Sequence, residues 1–165
     1  TFLAAREITS GTTADRFTPD ATLTRGQFIV MLMKAYGIEP LESTADNFAD
    51  AGDTYYTGYL AAAKKLAISE GMGDNKFAPE QQISRQDMFT LLYRALDVLG
   101  ETPDAAAEKT LSGYSDSTVI SAYAKTAMEA FVAEGVVSGS AGKLNPTGLT
   151  TRAQMAQVLY SLLSE

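Results

Sequence analysis

Residues 71–88 read GMGDNKFAPEQQISRQDM, and two further stretches can be laid over them: GTTADRFTPDATLTRGQF at 11–28 and GSAGKLNPTGLTTRAQM at 139–155. Each holds a proline (Pro19, Pro79, Pro146), then a hydroxyl residue five places on (Thr24, Ser84, Thr151), then at once an arginine (Arg25, Arg85, Arg152). The arginines stand 60 and then 67 residues apart. One unit of about 60–65 residues is therefore repeated three times, and the repeat governs everything else.

The hydroxyl residue has a mechanical meaning. Thr24-Arg-Gly-Gln27, Ser84-Arg-Gln-Asp87 and Thr151-Arg-Ala-Gln154 follow the capping-box spacing, with the hydroxyl at the N-cap and an acceptor side chain at N3. Asp87 is the shorter acceptor of the three. Apolar residues then recur at helical spacing: Phe28, Met31, Leu32, Ala35; Met88, Leu91, Leu92, Ala95; Met155, Val158, Leu159, Leu162. The pattern predicts one amphipathic helix of three to four turns in each copy.

A second helix is predicted ahead of each loop, over about residues 53–68 and 118–134, with Tyr55, Tyr59, Leu60 and Ala63 matched by Tyr123, Ala127, Met128 and Phe131. The first copy keeps only a remnant at 2–8. Pro40 and Pro103 mark connectors near 37–47 and 100–113. At most a residue or two around Lys76-Phe77 is expected to be extended. One helix–loop–helix unit cannot bury its apolar face alone. The expected fold is therefore all-α: three such repeats, at 1–40 (N-terminally incomplete), 41–100 and 101–165, packed as one compact pseudo-threefold helical bundle.

Of the 165 residues, 45% are hydrophobic and 20% charged, with a net charge of -7 and neither Cys nor His. This is globular composition. The acidic balance argues against nucleic acid and against bulk attraction to anionic membranes. Without Cys or His there is no disulfide framework, thiol catalysis or common zinc set. No apolar run approaches a membrane span, and Thr1 opens in mid-sequence, as expected of a mature fragment. Asp74-Asn75 lacks the alternating oxygen ligands of a calcium loop, and Gly-Met-Gly is too short for a phosphate loop. No carboxylate pair sits in a motif with an acid–base role, so no enzyme, metal or cofactor is expected.

The repeat resembles the S-layer homology domain, whose pattern runs aromatic-x-Asp, an aromatic-rich helix, a Gly-Ile-x-x-Gly-type turn, Phe-x-Pro and Thr-Arg-Ala-Glu. The middle copy follows it with Phe48-Ala-Asp50, Tyr55-Tyr56, Ala67-Ile68-Ser-Glu-Gly71, Phe77-Ala-Pro79 and Ser84-Arg85. The third has Tyr114-Ser-Asp116, Tyr123, Gly135-Val136-Val-Ser-Gly139, Asn145-Pro146 and Thr151-Arg152. The first has Ile8-Thr-Ser-Gly11, Phe17-Thr-Pro19 and Thr24-Arg25. The family's glutamate is Gln27, Asp87 and Gln154 here, its tryptophan is Tyr55 or Tyr123, and the third loop is one residue shorter with Leu144 in place of phenylalanine.

The resemblance implies a three-lobed helical module, covalently part of a larger exported protein of the bacterial cell wall or S-layer. It would hold that protein non-covalently on secondary cell-wall polysaccharide, a polymer often carrying pyruvylated N-acetylmannosamine, in grooves between lobes. The residues suit that role. Arg25, Arg85 and Arg152 start helices, where unpaired N–H groups and the dipole favour anions, and a guanidinium matches a carboxylate bidentately. Gly71 and Gly139 let backbone approach a sugar, Tyr55 and Tyr123 offer ring faces, and Asp50 and Asp116 accept from hydroxyls. A plainer reading pairs the arginines with Asp50 and Asp116 and uses the tyrosines as core or groove lining. The alternative function is then a structural or protein-interaction module that has lost sugar binding. The middle copy, with Arg85, is the most complete, and one or two working grooves are expected.

Overall fold

The computed structural model describes residues 18–42, 46–103 and 110–164. Five α-helices occur among them: α1 (Arg25–Ala35), α2 (Thr57–Lys65), α3 (Arg85–Leu99), α4 (Lys125–Ala133) and α5 (Arg152–Leu163). Short 3-10 turns at Leu111–Gly113, Ser117–Val119 and Ala122–Ala124 lead into α4. The described residues contain isolated β-bridges and no strand, so the chain is all-α. The first-copy remnant at 2–8, Gly11 and Phe17 lie outside the described residues.

Helices α1, α3 and α5 start on the repeat arginines because the preceding hydroxyl caps them. Thr24 and Thr151 form complete capping boxes with Gln27 and Gln154. Ser84 accepts from the Asp87 amide at 3.2 Å, but the Asp87 side chain does not reach back. Its shorter carboxylate turns elsewhere.

The first helix of each described repeat is shorter than the periodicity predicts. At its end, α2 makes a Schellman turn: Ala67 stands at φ 57 and donates to Lys64, while Ile68 donates to Ala63. Gly135, at φ 77, ends α4 with the matching bond to Val132, and the longer bond to Phe131 comes from Val137. At the start of α2, the Thr57 hydroxyl accepts from the Thr54 amide and donates to the Ala51 carbonyl, so the chain before it is a turn and not a helix.

The loops meet in a closed ring of backbone hydrogen bonds. Leu23 donates to Thr150, Thr150 to Ile83, and Ile83 back to Leu23, at 3.0, 2.9 and 2.9 Å. A second set runs round the copies in the opposite order, from Arg25 to Gln81, Arg85 to Gly148 and Arg152 to Ala21. Isolated bridges join Thr22 to Thr151, Thr24 to Gln82 and Ser84 to Leu149 across copies, and Ser140 to Lys143 within one; among the described residues none falls at Lys76-Phe77. Around the ring, α2 packs on α1 and α4 on α3, so the second helix of one copy carries the first helix of the next. Phe28, Leu32, Leu60, Phe77, Ile83, Phe89, Met128, Phe131 and Leu159 are buried in one core.

Candidate functional site

A groove of about 350 Å³ opens where the three copies meet, with Arg25 from the first, Ser69, Gly71, Asp87 and Arg94 from the second, and Tyr123 from the third. The cap explains why Arg25 is there. As the first residue of α1 it leaves its own copy and reaches into the loop of the next, where Nε donates to the Phe77 carbonyl at 2.8 Å and Nη1 to Asp87 Oδ2 at 2.9 Å. Its Cζ lies 4.8 Å from the centre of the Phe77 ring. An arginine whose side chain is only 5% exposed needs this set, because an unpaired buried charge is strongly destabilising. Burial lowers the Arg25 pKa, and Asp87 opposes that.

Asp87, released from the capping box by its length, also accepts from the Tyr123 hydroxyl at 2.6 Å. Burial raises the phenol's pKa, and the bond to Asp87 adds to the rise. The Tyr123 ring remains 56% exposed. Arg25, Asp87 and Tyr123 are therefore one hydrogen-bonded chain drawn from three copies.

The other expected residues take these positions. Asp50 accepts from the amides of Phe77 and Ala78, both at 2.8 Å, and Asp116 from those of Leu144 and Asn145, at 2.9 and 2.7 Å. Each aspartate thus clamps the Phe-x-Pro loop of its own copy, including a residue at positive φ (Ala78 at 57, Asn145 at 51). Among the described residues neither is an ion-pair partner of a repeat arginine; Arg25 is paired with Asp87. Gly71 lines the groove and packs against Phe48, the aromatic of Phe48-Ala-Asp50, as Gly139 does against Tyr114. Tyr55 is 63% exposed and sits edge-on to Tyr56.

Arg85 donates Nε to the Leu144 carbonyl at 2.9 Å, the counterpart of the Arg25–Phe77 bond, and makes no ion pair among the described residues. The place of Asp87 is taken there by Gln154, which is held in its own capping box. Arg152 is buried, its amide donates to Ala21, and burial lowers its pKa. The described groove thus gathers around Arg25, not Arg85. Sequence reasoning missed Asp87 and Arg94 as groove residues. The departure of Asp87 from Gln was the available signal for one, and the spacing of Asp87, Thr90, Leu91 and Arg94 on one face of α3 for the other.

No group of three or more acidic side chains that could hold a metal ion occurs among the described residues, and no described helix is long and apolar enough to cross a membrane.

Comparison with known proteins matches the model of the S-layer homology domain to residues 1–29, 47–89 and 112–156, one segment per copy. Over 99% of its length the chain is 31% identical to the exoglucanase XynX of Acetivibrio thermocellus, of which it covers 15%. It is 31% identical, again over 99%, to an amylopullulanase of Thermoanaerobacterium thermosulfurigenes, of which it covers 9%. The surface-layer 125 kDa protein of Lysinibacillus sphaericus is 31% identical over 92% of the chain, which covers 12% of that protein.

Proposed function

The chain belongs to the S-layer homology domain family, and from that premise we propose that it anchors a larger bacterial surface protein to the cell wall by binding secondary cell-wall polysaccharide in grooves between its copies. Its place is the cell wall or surface layer. The chain spans only 9 to 15% of the three relatives named above, and the same stretch occurs in two glycan-degrading enzymes and a surface-layer protein. A segment common to such different proteins serves what they share, so we assign no catalysis to it.

One observation carries this reading: the groove that needs all three copies, with a cation, a carboxylate, a ring face and a glycine turn converging in it. Its volume is at the lower end of small-molecule sites, which suits one or two sugar rings. A pyruvylated sugar is the ligand we assign to it, since its ring offers hydroxyls and its ketal a carboxylate. The closed Arg25–Asp87 pair favours a second reading, a structural or protein-interaction module without sugar binding. Co-sedimentation with purified bacterial walls separates the two. Anchoring requires that the chain pellet with intact walls and stay in the supernatant once the non-peptidoglycan polymer is stripped. Pelleting that persists unchanged after stripping defeats it.

A further inference from the structure

The groove is unequal at its two ends. Asp87, Thr90, Leu91 and Arg94 stand at i, i+3, i+4 and i+7 on α3 and share the face that lines it. Seven residues of helix set Asp87 and Arg94 about 10 Å apart along the axis. At the Asp87 end the electrostatics are already closed. The Arg25 guanidinium already donates to an internal carboxylate and a backbone carbonyl, with Phe77 against its plane. An incoming carboxylate would compete there with Asp87, which also holds Tyr123.

At the other end Arg94 has Glu70 as its ion-pair partner among the described residues. Their nearest atoms are 3.9 Å apart, with side chains 32% and 81% exposed. That is longer than a charge-assisted hydrogen bond, and such exposed pairs contribute little. Arg94 is thus the groove cation that can change partners at small cost. In a chain of net charge -7 an anionic ligand gains nothing from the overall field, so a local cation must hold it.

We infer that Arg94, rather than Arg25, receives the carboxylate of an acidic saccharide in this groove, displacing Glu70, while Asp87, held by Arg25 and Tyr123, accepts from sugar hydroxyls at the opposite end. The lone pairs left on the Asp87 oxygens permit this. The inference rests on the wall-anchoring reading above.

The test is calorimetric titration with the methyl glycoside of pyruvylated N-acetylmannosamine and with its methyl ester, alongside wall pelleting. The wild-type chain is expected to bind the acid about tenfold or more tighter than the ester. R94Q, with an unchanged thermal melt, should bind the acid no better than the wild type binds the ester, with no further loss on esterification. R94K should keep most of the discrimination, and D87N should change acid and ester binding alike. Equal acid binding by R94Q and wild type overturns the inference, as does a wild type that pellets with walls yet binds acid and ester equally. A D87N variant that gains affinity for the acid alone moves the anion to Arg25. If the wild type neither pellets nor binds either glycoside, it is the anchoring reading that falls.

Discussion

At Gly71 the backbone stands at φ +81, and a Cβ there would run into the Lys76 carbonyl and, at 2.9 Å, the Phe48 ring. Gly139 repeats this at φ +65, with the Lys143 carbonyl at 2.5 Å and the Tyr114 ring at 2.8 Å. The sequence shows a recurring glycine and invites a sugar-contact reading, but its neighbours supply a reason within the fold. The turn must close over the aromatic of aromatic-x-Asp, and only a residue without a side chain fits. Gly71→Ala is therefore expected to lower stability by about 1–3 kcal/mol in a urea titration. Gly113→Ala, which meets nothing within 4 Å, should leave the midpoint in place. Equal midpoints for the two variants would remove the packing argument.

Among elements, the starts of α1, α3 and α5 were legible because a cap is local: hydroxyl, arginine and N3 acceptor lie within four consecutive residues. The end of α2 was not, since its left-handed position is filled by Ala67 and not by the glycine or asparagine that marks such a turn. Nor was the task of the aspartates, whose loop partners lie 27 to 29 residues ahead in sequence. That clamp has a pH signature at Asp116. Burial pushes its pKa up, but the amides of Leu144 and Asn145, helped by Lys143, hold it below the ordinary carboxylate value. A depressed folded-state pKa contributes stability that is complete above the unfolded-state value and lost as pH falls through the folded one. Asp116→Asn should therefore melt below the wild type at neutral pH, by about 1 kcal/mol. The gap should narrow on acidification to about pH 2.5; a gap independent of pH would show that the carboxylate charge plays no part in holding the loop.

In the molecule as a whole, the ring through Leu23, Ile83 and Thr150 makes the copies interdependent. Ile83→Pro removes the amide that donates to Leu23 and is expected to cost on the order of a few kcal/mol. Hydrogen exchange at the Leu23 and Thr150 amides should accelerate although neither residue is altered; unchanged exchange at Thr150 would mean that the copies fold independently. The number of repeats, the all-α class and the residue on which each arginine-led helix begins can all be read along the chain. Capping and helical periodicity act over one or two turns of contiguous chain, so they can be read without knowing what else is nearby. Which copies supply one groove is set by long-range packing, which joins Arg25 to Asp87 across 62 residues and Tyr123 to Asp87 across 36. It also decided that Arg25 arrives there in a buried, hydrogen-bonded pair with Asp87, while Arg94 meets Glu70 only in a long, exposed one. Whether a charged side chain is open to a ligand depends on which distant side chain reaches it first, and that is a property of packing, not of spacing along the chain.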